Sequence, residues 1–116
     1  AFKKEIIDIQ GKNDKLDFTY VDDLVQGCIQ AAINKNGLNQ IFNITCGKGE
    51  TLYNFVMILK KHFTSLKYKV SNRDSFRPVR GTLSINKAKK LINYSPKYNL
   101  SQGVEKYIKF FKNLKK

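Results

Sequence analysis

At 116 residues the chain is long enough for one domain and too short for two. A hydrophobic fraction of 41% with 27% charged residues is ordinary for a globular domain and does not suggest disorder, and no apolar run approaches the roughly 20 residues of a membrane span. The formal charge of +13 points to an anionic partner, either nucleic acid or a phosphorylated small molecule.

Glu5–Ile9 is isoleucine-rich, stops at Gly11 and reads as a short strand. After a polar turn, Leu16–Tyr20 alternates apolar and polar residues, as a second short strand does. Val21–Asn34 is the clearest helix. Val21, Leu24, Val25, Cys28, Ile29, Ala32 and Ile33 recur at helical spacing and predict one buried stripe. Asp22 and Asp23 occupy its first turn, where carboxylates meet the positive end of the helix dipole, and Asn36-Gly37 ends it. Ile41–Thr45 reads as a compact strand, followed by a tight turn at Gly47 and Gly49. Thr51 is placed to cap a helix over Leu52–Phe63, and Lys67–Val70 reads as another strand. Asn72–Leu83 holds Arg73, Arg77, Arg80, Pro78 and Gly81 and reads as an exposed loop. Ser84 is placed to cap a short helix with Ile85, Ala88, Leu91 and Ile92. Tyr94–Asn99 is a connector, and Ser101 a cap for a last helix with Val104, Tyr107, Ile108, Phe111 and Leu114 on one side. The expected class is α/β, with short strands and about four helices.

The charge by itself does not select nucleic acid. Only three of the 22 basic residues are arginine, and lysine is spread over most of the chain, whereas base-edge readout favours guanidinium forks. Cys28 and Cys46 match no metal or redox spacing and read as reduced thiols of a cytoplasmic protein. The lone histidine, His62, has no partner residue that the sequence places beside it. Gly47-Lys48-Gly49 lacks the third glycine of a dinucleotide turn and reads as a strand-to-helix turn. Asp17, Asp22 and Asp23 form an acidic cluster whose capping and dipole roles compete with acid–base chemistry. No complete catalytic set is present. The start at Ala1, without methionine, leads us to expect a segment of something longer.

Leu16-Asp17-Phe18-Thr19-Tyr20-Val21-Asp22-Asp23-Leu24-Val25 resembles the R-D-F-x-Y-V-D-D-L-V segment of the extended short-chain dehydrogenases, the NAD-dependent nucleotide-sugar epimerases and dehydratases. Ile41–Gly47 resembles the family's F-N-I-G-x-G segment and Arg77-Pro78-Val79-Arg80 its arginine–proline loop. Lys87–Pro96 resembles K-A-x-x-L-L-G-Y-x-P, and Leu100–Val104 the start of its last helix. These matches run in the family's order over nearly the whole chain. The resemblance implies that residues 1–116 form the C-terminal substrate-binding domain of an extended Rossmann-type enzyme. The N-terminal NAD-binding Rossmann domain, with its Tyr-x-x-x-Lys pair, lies outside this chain. It implies a nucleotide-sugar substrate, NAD in the parent enzyme but not on this part alone, a parent that can be a homodimer, and no membrane partner.

By motif position, Arg77 and Arg80 match arginines that grip the pyrophosphate, a task suited to guanidinium forks. Asn43 matches an asparagine near the substrate's phosphate end, and Phe18 an aromatic beside the nucleotide. From the residues alone, Phe18 equally reads as core, Asn43 as a satisfier of strand-end backbone groups, and the arginines as solvated loop charges. Two departures lie at the substrate end: Leu16 stands where the family has arginine, and the loop after Pro78 is shorter. A basic nucleic-acid-binding module and a catalytically silent interaction domain are the competing functions.

Overall fold

A computed structural model describes residues 6–114. Strand β1 (Ile7–Gln10) pairs in parallel with β4 (Tyr68–Ser71), in the register Ile7 to Tyr68 and Gln10 to Ser71. Between them the chain makes β2 (Lys15–Asp17), α1 (Val21–Ile33), a 3-10 turn (Lys35–Gly37), β3 (Gly49–Thr51) and α2 (Leu52–His62). Strands β2 and β3 pair antiparallel, and the chain closes with α3 (Asn86–Ile92) and α4 (Leu100–Asn113). The α/β class and the four helices are as expected. Of the first expected strand, Glu5 lies outside the described residues.

Local chemistry accounts for the helix ends. Thr51 caps α2 as expected, its hydroxyl accepting from Asn54 N–H at 3.0 Å. α4 begins two residues earlier than expected: Asn99, not Ser101, is the N-cap, in a reciprocal capping box with Gln102. The N-cap residue of α3 is Ile85 rather than Ser84, but the Ser84 hydroxyl accepts from the N–H of Asn86, the first residue of the helix, at 3.4 Å.

Three expectations are corrected, each for the same kind of reason. The second strand stops at Asp17 because β3, its partner, is three residues long; Phe18–Tyr20 leave the ladder. Ile41–Thr45 is not a strand, because none of the described residues pairs with it. Its burial still alternates, with Ile41 and Asn43 exposed and Phe42 and Ile44 half-buried. And α1 is a helix, yet its apolar stripe is not its buried face. Asp23 and Gly27 are buried, whereas Val25 is 50% and Ile29 52% exposed. Gly27 faces the core because nothing larger fits: an added Cβ would lie 2.3 Å from Ile44 Cγ2 and 2.9 Å from Tyr94 Cε2.

The core is built around Ile85, Ala88, Ile92 and Tyr94, with Ala31, Phe42, Ile44 and Leu91 against them. Ile9, Val56, Val104 and Ile108 are also buried, and α2 packs on α4. The molecule is a slab of 50 × 42 × 18 Å with a radius of gyration of 16.8 Å. A compact chain of this length has a radius near 13 Å. Much apolar surface is therefore left at the faces of the slab rather than inside it.

Candidate functional site

The segment from Asp17 to Thr19 is the joint on which the recognisable motifs meet. Asp17 Oδ1 accepts from Gly47 N–H at 3.2 Å and its Oδ2 accepts from Leu83 N–H at 3.3 Å. Two residues on, the Thr19 hydroxyl accepts from Cys46 N–H at 3.0 Å. One carboxyl and one hydroxyl thus tie the end of β2 to the Thr45–Gly47 turn and to the strand-like stretch before α3. Gly47 is held at φ +70°, and an added Cβ would lie 2.8 Å from Ile85 Cδ1, so glycine is required there on both counts. Asn43 joins the same junction: its Nδ2 donates to Ser84 O at 3.0 Å.

Asp23 holds a second junction. Its two carboxyl oxygens accept from Lys97 N–H at 2.8 Å and Tyr98 N–H at 3.0 Å, fixing the connector between α3 and α4 onto the first turn of α1. This is a structural task, of a kind the capping reading of the acidic cluster did not foresee. Asp22 is 3.7 Å from Lys106, which also lies over the rings of Tyr98 and Tyr20. The Tyr98 hydroxyl, followed by the charges nearby, raises the Lys106 pKa. Tyr94, buried under α1, donates to Thr45 O at 2.9 Å. Burial, and then the Asp23 charge, push its phenol up to about 12, so it stays protonated and acts as a fixed clamp. Burial likewise raises the Cys46 thiol, whose Sγ contacts Tyr98 O at 3.7 Å. Neither group is poised as a nucleophile or base at neutral pH.

The arginines stand elsewhere, on an arm anchored to the end of the β1–β4 ladder. Arg77 Nε lies 2.7 Å from Asp74 Oδ2, and its Nη2 donates to Gln10 Oε1 at 2.6 Å. Asp74 Oδ1 accepts from the N–H groups of Phe76 and Arg77, which, with Arg77's charge, holds its carboxyl below the usual aspartate value. Arg73 donates to the Arg77 carbonyl. Its Nε lies 3.0 Å from Asp14 Oδ2 but is not aligned to hydrogen-bond it. Arg80 is exposed and forms no hydrogen bond or ion pair among the described residues. The arm also carries Phe76, 94% exposed, and Val79, 80% exposed.

Phe18 stacks on Phe55 with ring centroids 5.2 Å apart. It lines an open apolar groove of about 920 Å³ between α2 and α4, with Leu59, Val104 and Tyr107. Of the four residues singled out by motif, Asn43 therefore belongs to the Asp17 junction and Phe18 borders it. Arg77 and Arg80 share a separate arm, and none of the described contacts joins them to the other two. The residues that position this site, Asp17, Thr19 and Asp23, lay inside the recognised motif. Their signal was the density of short polar acceptors at a strand-to-helix junction.

NAD has no cradle among the described residues. The first amides of α2 are engaged, Leu52 N–H by Asp14 O, Tyr53 N–H by Lys12 O and Asn54 N–H by the Thr51 hydroxyl, and the Gly47-Lys48-Gly49 turn runs into β3 instead of opening a helix. No group of three or more His, Cys, Asp or Glu among the described residues is arranged to hold a metal, and no helix is long and apolar enough to cross a membrane.

No protein-family model matches the chain. An uncharacterised protein of Methanocaldococcus jannaschii, MJ1055, is 29% identical over 109 residues, which are 93% of this chain and 33% of that protein. UDP-glucuronate 4-epimerase 1 of Arabidopsis thaliana is 28% identical, over 93% of this chain and 29% of its own length. The Bacillus cereus UDP-glucuronic acid 4-epimerase, solved with UDP-glucuronic acid and NAD, superposes with a TM-score of 0.82 at 25% identity. That match covers 96% of this chain and 36% of the enzyme. The chain spans about a third of the length of the proteins it matches. Its fold is that of the C-terminal portion of Rossmann-type nucleotide-sugar epimerases.

Proposed function

We propose that this chain supplies the nucleotide-sugar-binding part of an NAD-dependent epimerase or dehydratase, with the NAD-binding Rossmann domain and the catalytic pair contributed by other sequence. The observation that carries the reading is the arginine arm. Arg77 keeps several guanidinium N–H groups free after its bonds to Asp74 and Gln10, and Arg80 keeps all five. Two adjacent guanidinium forks on an otherwise lysine-basic surface suit the oxygens of a pyrophosphate. Similarity to an enzyme solved with UDP-glucuronic acid supports the same ligand class. In this reading Asn43 lies towards the phosphates and Phe18 towards the nucleotide, and the chain alone lacks half of the cleft and is inactive.

Calorimetric titration with UDP-glucuronic acid and with UDP tests it. The expected result is weak binding to the isolated chain, similar for the two ligands, and reduced about tenfold or more by Arg80→Ala. Tight binding unaffected by Arg77→Ala and Arg80→Ala would place the site elsewhere. Binding of an oligonucleotide duplex that weakens steeply with salt, without sugar-nucleotide binding, would favour the nucleic-acid reading instead.

A further inference from the structure

Two parallel strands end side by side at the foot of the arginine arm. β1 ends at Gln10, whose side chain accepts from Arg77, and β4 ends at Ser71, from which the arm departs. In open α/β sheets the carboxyl ends of parallel strands are where ligands bind. An open cleft of about 250 Å³ lies at these ends, between the Gly11–Asp14 turn and Val70–Arg73. Arg73, on the wall of that cleft, donates to the Arg77 carbonyl and so ties the arm to it. The turn in the arm is itself held. Asp74 Oδ1 accepts from the Phe76 and Arg77 N–H groups at 3.1 and 2.9 Å, and Pro78 disfavours a helical turn at Arg77. What this turn presents is a phenyl ring, Phe76, 94% exposed, beside a guanidinium with N–H groups to spare. Burial of such a ring is stabilising, and the fold forgoes it on a turn that its own bonds keep in place.

We propose that the Asp74 turn is a clamp for a nucleoside diphosphate, in which Phe76 stacks on the base while Arg77 and Arg80 hold the phosphates. The base and the first phosphate of a nucleotide are one ribose apart, a separation that two consecutive side chains span. Every base has a π face to stack, and a phenyl ring has no donor or acceptor with which to choose among them. The clamp therefore prefers a nucleoside diphosphate to inorganic pyrophosphate without itself selecting the base. By motif position the aromatic beside the nucleotide is Phe18, but that ring is already stacked on Phe55 at the groove between α2 and α4. The inference rests on the reading that the arginines take the pyrophosphate, and it adds the residue that takes the base.

The chain has no tryptophan, so Phe76→Trp places a single fluorescent reporter at the turn. UDP and inorganic pyrophosphate are titrated in parallel against this variant by fluorescence, and against the unsubstituted chain and Phe76→Ser by calorimetry. UDP is expected to quench the tryptophan and pyrophosphate to leave its emission unchanged. Phe76→Ser should weaken UDP binding about fivefold or more and move pyrophosphate binding by less than about twofold. Because the ring is exposed, both variants should keep the melting temperature of the parent chain. UDP binding that Arg77→Ala and Arg80→Ala reduce but Phe76→Ser does not would overturn the clamp and leave the arginine site standing. Quenching of Phe18→Trp without quenching of Phe76→Trp would also overturn it, by placing the base at the groove. Absence of binding by both UDP and pyrophosphate removes the arginine reading and this inference together.

Discussion

Replacing Asp23 with alanine removes the acceptor for two backbone N–H groups at once. Asp23 is 2% exposed, and the Lys97 and Tyr98 N–H groups meet its oxygens at 2.8 and 3.0 Å. Water does not replace an acceptor lost at such a position without local opening, so each donor is left unsatisfied at about 1–3 kcal/mol. The expected loss for Asp23→Ala is therefore about 3–4 kcal/mol. Asp23→Asn keeps the shape and one acceptor oxygen but turns an amide NH₂ towards the other donor, so about half that loss is expected. Urea denaturation followed by circular dichroism measures both, with the slope compared to confirm that the unfolded state is unchanged. Against a typical domain stability of 5–15 kcal/mol, the alanine variant should be visibly marginal. A loss below about 1 kcal/mol with an unchanged slope would refute the account of the Asp23 clamp.

Gly27→Ala runs against the usual helix rule: alanine normally stabilises a helix interior by up to about 1 kcal/mol. Here the new Cβ would lie 2.3 Å from Ile44 Cγ2, so thermal melting should show a net loss of about 1–3 kcal/mol. In an intact enzyme containing this chain, Arg77→Ala and Arg80→Ala should raise the substrate KM while moving stability by less than about 0.5 kcal/mol, because both side chains are exposed. Acid should loosen the arginine arm first. The Phe76 and Arg77 N–H groups depress the Asp74 pKa, and the Ser71 hydroxyl depresses that of Asp8. A depressed folded-state pKa means stabilisation that is complete above the ordinary aspartate value of about 3.9 and is lost as pH falls through the lower folded value. Amide exchange in 74–80 should therefore rise below about pH 4 relative to the α3 core, and Asp74→Asn should remove that difference.

What the sequence alone determined was local. Helical spacing located α1, α2 and α4, Thr51 announced its own helix, and the crowding of Arg73, Arg77, Pro78, Arg80 and Gly81 marked an irregular arm. The motifs, in their order along the chain, pointed to the fold. Each of these signals is carried by residues a few positions apart, so nothing distant is needed to read them. What tertiary structure decided was which surfaces have partners. The apolar stripe of α1 forecast a buried face, but an apolar stripe records where cover is needed and not whether this chain provides it. The described residues bury Asp23 and Gly27 instead, because Tyr94, Ile44 and the Lys97–Tyr98 backbone are what lies against that helix. Ile41–Thr45 has strand composition without a strand, because a ladder requires a second backbone that the sequence of one segment cannot reveal. Likewise, that Asp17 and Thr19 would hold the Cys46–Gly47 turn and Leu83 depends on pairs separated by up to 66 residues, a relation set by packing and not by spacing.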